Sequence, residues 1–509
     1  MSEVLREARK YEELTERSIR AEERPVFHLS ARVGWMNDPN GFSFYNGKYH
    51  MFYQYHPYSS IWGPMHWGHA VSEDLLRWEY LPAALAPDEP CDVDGCFSGS
   101  AVTLPDGRQL LMYTGVSGEG LPDGSRSERQ QQCLAIGDGI DYDKYSGNPV
   151  ITSDMLPEGS SRIDFRDPKM LQMEDGSYQV LIGNRPADGS GQILIYKSRD
   201  AFHWEFKGIL SRNLCRFGRM WECPDYFELD GKSVLIVSPQ DMLPEGFEYH
   251  NGNGTLALIG HLSEDGSLCE ENDQAIDYGI DFYAPQTILT PDGRRVMIGW
   301  LQNWDTALAM REKKLKWNGQ LSIPRELSIV DGRLYQKPVR ELEDRRANKV
   351  SYADVMIEGE EERNAADLTE DGQGTDRAFP GVKGRCIDLT VKIRPEDVQT
   401  SFDRFIIRFA AAGAQFSMLT WRPKEQVLKI DRKFSGSRRA IIHQRRALVP
   451  SEDGSISIRL ILDRFSVEAF VNDGRQVLSA VLYTSQEADG ISFSCRGRAR
   501  VDIEKYDLI

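Results

Sequence analysis

Five segments of the chain repeat one pattern, a tight turn followed by an alternating apolar strand. They are Asn46-Gly47 before KYHMFYQ, Asp106-Gly107 before RQLLMYTG, Asp175-Gly176 before SYQVLIG, Asp230-Gly231 before KSVLIV, and Asp292-Gly293 before RRVMIGW. An Asn-Gly or Asp-Gly pair supplies the positive φ angles of a hairpin turn, and alternation marks the flanking strands. Glycine-to-glycine spacings of roughly 55 to 70 residues suit a four-stranded antiparallel blade with its loops. The repeats therefore predict an all-β catalytic region, a five-bladed β-propeller. A propeller lines its axis with one strand from every blade, so equivalent residues of different blades face one another there.

Counting nine residues back from each glycine lands on Asp38, Ser98, Asp167, Glu222 and Ala284. Three of the five are acids, and a proline follows each within two residues (Pro39, Pro168, Pro224). An Asp-Pro pair alone is a turn signal. Three acids at one level of radial repeats converge on a single axial pocket. Glycoside hydrolysis needs a carboxylate on one face of the sugar and a carboxylic acid on the leaving-group side. The acid needs a raised pKa, which an apolar wall or a nearby like charge supplies. A third acid can bind sugar hydroxyls and oppose the positive charge of the transition state. Two Asp and one Glu meet that requirement.

A chain of 509 residues is too long for one ordinary core and implies two or three domains. Residues 1–25 read as a polar, charged helical extension, with no apolar run that would make a signal peptide or an anchor. Residues 26–335 hold the repeats, 336–352 read as a linker helix, and 353–509 as a β-sandwich. Within the last part, an acidic, turn-rich stretch from Glu358 to Thr375 precedes strands such as RFIIRFA, QVLKID and FSVEAFV. Alternation there places apolar residues on one face and lysine and arginine on the other. The N-terminal helix or a sandwich edge offers a surface for a homodimer.

The net charge of −17 argues against nucleic acid or an anionic membrane as partner, although a local arginine cluster could still hold a phosphorylated substrate. Eight cysteines without paired spacing point to a reduced, cytoplasmic protein, with Cys223 packing near the site as a small apolar group. His66 and His69 lack a third ligand motif, so they read as packing residues and no metal is expected. The run RKFSGSRRAIIHQRR reads as a solvated strand face. No phosphate loop or dinucleotide fingerprint is present, and the chemistry needs no cofactor.

The motifs GWMNDPNG, FYQYHP, WGPMHWGHA, FSGS, FRDP, WECPD, DFYAPQ and WNGQLSIPREL occur in this order. Together they resemble the β-fructosidases of glycoside hydrolase family 32, and DRFSVEAFVNDG resembles that family's C-terminal module. The resemblance covers nearly all of the chain past residue 25. It implies a five-bladed propeller joined to a sandwich, and a retaining double displacement at a β-fructofuranosyl bond. It implies Asp38 as nucleophile, Glu222 as acid/base and Asp167 as transition-state stabiliser, with Arg166 beside it. It also implies a substrate pocket lined by Asn37, Gln54, Trp62, Phe97, Ser98, Tyr283 and Trp300, bordered on the leaving-group side by WGPMHWG and CDVDGC. The substrate is then sucrose, its 6-phosphate or a short fructo-oligosaccharide. An exo-acting fructan hydrolase and a fructosyltransferase share the triad, and a silent fructan-binding propeller is the non-enzymatic alternative.

Overall fold

Residues 1–120, 126–307, 315–359, 376–396, 402–437 and 441–509 are described by the structure, a computed structural model. Each of the five turn signals closes the first hairpin of a separate antiparallel sheet. The innermost strands are Gly34–Tyr45, Gly95–Thr103, Ser160–Gln172, Trp221–Leu229 and Tyr283–Leu289, and each opens a blade, numbered one to five in chain order. The ring closes by an excursion of blade five. After Arg295–Trp300 the chain leaves the sheet and Trp317–Asn318 runs parallel to Gly34–Trp35 of blade one. It then returns as Arg325–Val330 and Arg333–Pro338.

The C-terminal part is a β-sandwich joined by one long strand, Gly490–Leu508. Its first residues pair with Arg404–Ala412, while from Gly497 on it pairs with Arg346–Gly359 and Ile387–Pro395. Gly497 has φ 93° at this handover, a backbone that a side chain would strain. The expected linker helix over 336–352 is absent. Its place holds a 3-10 turn, Arg340–Arg345, and the first half of the strand Arg346–Gly359, which gains a full ladder against the last strand. The N-terminal helix is present as Glu3–Glu16, capped by Ser2, whose side chain accepts from the Leu5 amide. Residues 360–375 of the acidic stretch lie outside the described residues. No described helix is long and apolar enough to cross a membrane.

The sandwich departs from one-sided alternation where it meets the propeller. In the hairpin Ser466–Val471/Gln476–Val481 every residue is buried. Ala469 and Leu478 face the sandwich core, while Phe470 and Val477 join Phe27, Leu29 and Trp317 of the propeller in a second cluster. Buried charges span the same interface. His28 lies 2.9 Å from Asp463 and from Glu468, and Arg325 reaches Glu468, Asp277 and Ser479. Arg432, expected on a solvated face, is fully buried instead. It pairs with Asp281 and donates to the Val481 carbonyl at 2.9 Å, which offsets part of the cost of burying its charge.

Candidate active site

All five innermost strands break register at the same height. The pairing slips between Met36 and Pro39, Phe97 and Gly99, Arg166 and Lys169, Glu222 and Asp225, and Tyr283 and Gln286. A bulge adds a residue to one strand and re-aims its side chains, and here five of them ring the axis. In blades three, four and five the bulge holds a left-handed residue directly before a proline: Asp167 (φ 66°), Cys223 (φ 48°) and Ala284 (φ 50°). Non-glycine residues adopt this backbone at a cost of about 1 kcal/mol or more, and such strain concentrates at functional sites.

The expected equivalence of the acids holds for the bulge but not for the residue. By ladder register Met36, Phe97, Arg166, Glu222 and Tyr283 are counterparts, and so are Asn37, Ser98, Asp167, Cys223 and Ala284. Glu222 thus takes the first bulge position, Asp167 the second and Asp38 the third. The glycine count aligned them because the blades differ in turn length and blade one has a second bulge between Asn40 and Ser43. The three acids therefore leave their strands at three successive bulge positions rather than at one.

Cys223 links the three. Its amide donates to Asp167 Oδ2 at 2.9 Å and its Sγ lies 3.5 Å from Asp38 Oδ2, while its neighbour is Glu222. Ser98 Oγ donates to Asp38 Oδ2 at 2.9 Å, and Asp38 Oδ1 is buried without a hydrogen-bond partner. Glu222 is held on both oxygens. Arg166 Nε donates to Oε1 at 3.1 Å, Gln240 Nε2 to Oε2 at 2.9 Å, and the Tyr283 hydroxyl lies 2.6 Å from Oε2. Arg166 is fixed in turn by Asp164 at 2.8 Å. Burial, and then repulsion from Glu222 and Asp167, pushes the Asp38 carboxyl up to about 7. Asp167 is also raised, by burial foremost, with Arg166 opposing. Two buried carboxyls, Asp38 and Asp167, thus hold their protons more tightly than free carboxylates do, an arrangement in which neighbouring acids can take different protonation states.

Two family models account for this arrangement. The glycosyl hydrolases family 32 N-terminal domain matches residues 28–338, and the family 32 C-terminal domain matches residues 341–507. The chain belongs to glycosyl hydrolase family 32. It is similar to the raffinose invertase of Escherichia coli, 36% identical over 474 residues that cover 92% of this chain and 91% of that protein. A sucrose-6-phosphate hydrolase of Escherichia coli is 35% identical, with the same coverage. Among solved structures, a mutant of the Bombyx mori GH32 beta-fructofuranosidase in complex with sucrose is 33% identical. It covers 99% of this chain and 97% of that one, with a TM-score of 0.81.

In this family 32 chain the other expected residues fall around the acids with different tasks. Trp35, Tyr283 and Trp300 form an apolar cluster with Met65 and Cys223, and Phe97 packs against it. Asn37 accepts from Trp35 Nε1 at 2.8 Å, and Gln54 donates to the Cys96 carbonyl at 2.9 Å, so both brace the wall. Trp62, 45% exposed, stands edge-on to Phe97 at the mouth. Tyr283 is more than a lining residue, since its hydroxyl contacts Glu222 directly. His66 and His69, three residues apart on one strand, face opposite ways. His66 donates to the Pro64 carbonyl, and His69 stacks on Phe52 with ring centroids 4.0 Å apart. Among the described residues, no group of three His, Cys, Asp or Glu side chains could hold a metal.

Sequence reasoning did not find Gln240, Asp164, Thr114 or Trp304. Gln240 follows the second strand of blade four in a segment, SPQD, that carries no motif. Thr114 accepts from the Asp167 amide at 3.0 Å from the neighbouring blade, a contact that only the three-dimensional ring creates. Trp304 stacks on Trp35 at 6.3 Å, and its nearness to Trp300 in sequence was the available signal.

Proposed function

We propose that this glycoside hydrolase releases terminal β-D-fructofuranosyl units from sucrose-type substrates by double displacement. The carrying observation is the unequal treatment of the carboxylates. Asp38 presents a buried, unbonded oxygen to the pocket, whereas both oxygens of Glu222 are held by donors. The first arrangement suits a nucleophile and the second an acid/base whose position must stay fixed through two proton transfers. Asp38 attacks the anomeric carbon while Glu222 protonates the glycosidic oxygen, so the leaving sugar departs with the proton and fructose is held as an ester. Glu222 then takes a proton from water, which attacks the same carbon and frees Asp38. Asp167, held by the Cys223 amide, accepts from fructose hydroxyls and opposes the developing positive charge.

Retention follows from the two inversions at one carbon. The names of the relatives supply the substrate class, sucrose, its 6-phosphate and raffinose. Side-by-side initial rates of fructose release from sucrose, sucrose 6-phosphate, 1-kestose and inulin test the proposal. Release from at least one is expected, with Glu222→Gln lowering kcat by roughly 10²- to 10⁴-fold, the range of a general acid/base. No release from any of the four sinks the reading. Trisaccharide products at high sucrose would make the protein a fructosyltransferase instead.

A further inference from the structure

The N-terminal helix lies before the first residue matched by the family model, yet it is fastened to blades one and two along its length. Ser2 bonds Asp88 at one end. Arg9 Nε donates to the Ala83 carbonyl at 2.9 Å and pairs with Asp141. Glu12, 1% exposed, accepts from the Ala83 amide at 2.9 Å and from Arg32 at 3.0 Å. Leu5 and Ala8 are buried beneath the helix. Tyr11 plays no part in these contacts. Its ring is 39% exposed and stands edge-on to Tyr58 at 5.0 Å.

Tyr58 belongs to the loop 57–65 that carries Trp62, and this loop is built around His56. His56 Nδ1 donates to the Ile61 carbonyl at 2.9 Å. A Cβ on Gly63 would stand 2.4 Å from the imidazole, so a larger residue there would have to shift the ring over which the loop closes. Tyr58 stands edge-on to both His56 at 6.0 Å and His66 at 5.9 Å. Asn318 donates to the Ser60 carbonyl at 3.3 Å, and the Met65 carbonyl accepts from the Cys96 amide at 2.9 Å. At the far side Trp62 meets Phe97 edge-on at 6.1 Å, and Phe97 packs on the cluster around the acids.

We propose that the N-terminal helix is a specificity element of the leaving-group side, acting through Tyr11, Tyr58 and the loop on the position of Trp62. The inference rests on the functional reading above. A fructosyl unit must reach Asp38 and Asp167, which are 8% and 6% exposed, so it fills the floor of the pocket. The leaving sugar then extends toward the mouth, where Trp62 is half-exposed. An aromatic wall there recognises the apolar face of a sugar ring, and its orientation decides how large a leaving group it accommodates. Tyr11 is a positioning residue, since its ring meets Tyr58 of the loop that presents Trp62.

The test is steady-state kinetics of the full chain and of Tyr11→Ala, Tyr11→Phe, Trp62→Ala and the double variant Tyr11→Ala/Trp62→Ala. Sucrose and raffinose serve as probes, because raffinose carries a disaccharide leaving group. Tyr11→Ala is expected to raise KM for raffinose relative to sucrose by about three- to tenfold, the range of one aromatic contact, with kcat little changed. Tyr11→Phe keeps the ring and should match the wild type. In the Trp62→Ala background, Tyr11→Ala should add nothing. An unchanged KM ratio, an effect that persists without Trp62, or a lowered melting temperature with no change in KM overturns the proposal. Those outcomes leave the functional reading intact; a wild type that releases fructose from neither sugar overturns this proposal, and the functional reading falls with it only if sucrose 6-phosphate, 1-kestose and inulin release none either.

Discussion

Asp38→Asn should abolish turnover and, at neutral pH, make the protein more stable. The loss is expected to be roughly 10⁴-fold or more in kcat, because the first bond to the anomeric carbon cannot form. The gain follows from the pocket that makes the residue useful. Asp38 is buried and faces Glu222 and Asp167, and its carboxyl rises from 3.8 to about 7. A carboxyl whose folded pKa is raised holds more protons folded than unfolded between those values, so folding stability falls as pH climbs through that window. Below pH 4 the group is neutral in both states and the penalty is absent. Above pH 7 it is fully present, and a shift of this size corresponds to about 4 kcal/mol as a ceiling. Asparagine can still accept from Ser98 Oγ and removes the like charge. Thermal unfolding at pH 8 should show the variant melting a few degrees higher, with the difference vanishing at pH 4. Equal melting temperatures at pH 8 would mean that the acids do not repel one another as the burial implies.

The origin of that strain was partly legible in the sequence. Turn chemistry is local, so Asn46-Gly47 and its four counterparts marked the first hairpin of every blade. The three acids that meet in the pocket were located through the same periodicity. Their register was not, because a bulge slips the ladder without leaving a mark between Asp38 and Gly47 or between Glu222 and Gly231. Contacts across a blade and between blades were equally hidden. Gln240 and Thr114 act on residues 18 and 53 positions away, a separation that no local pattern encodes. The linker helix failed for a related reason. The segment from Arg346 is rich in polar helix formers, yet pairing with the C-terminal strand outweighs a propensity of a few tenths of a kcal/mol per residue. Alternation also misled at FSVEAFV. A strand with both faces buried, one on the sandwich core and one on the propeller, hides Glu468 where a solvated face was expected.

Glu468 leads to the largest stability effect, expected for Arg325→Met. Arg325 is fully buried, donates to Glu468 through Nε at 3.1 Å and NH2 at 2.6 Å, and to Asp277 at 3.0 Å. Its guanidinium also lies 4.4 Å from the centre of the Phe282 ring. Methionine preserves most of the length but leaves two carboxylates in the interface with one cation fewer. Removing one partner of a buried ion network costs about 3 to 5 kcal/mol, because the remaining charge has lost both water and its counter-ion. The remaining cation is His28, which burial opposes but Asp463 and Glu468 raise from 6.5 to about 9. A histidine raised in this way contributes stability that is complete below pH 6.5 and is lost as pH rises through 9. The window overlaps that of Asp38 only between about pH 6.5 and 7, so the two can be read apart on either side of it. Urea unfolding of wild type, Arg325→Met and His28→Gln at pH 6 and pH 9.5 should show a large deficit for Arg325→Met at both. His28→Gln should be deficient at pH 6 and close to wild type at pH 9.5. A His28→Gln deficit that does not shrink with pH would show that the imidazole is neutral between its two acids, and that shape rather than charge joins the propeller to the sandwich.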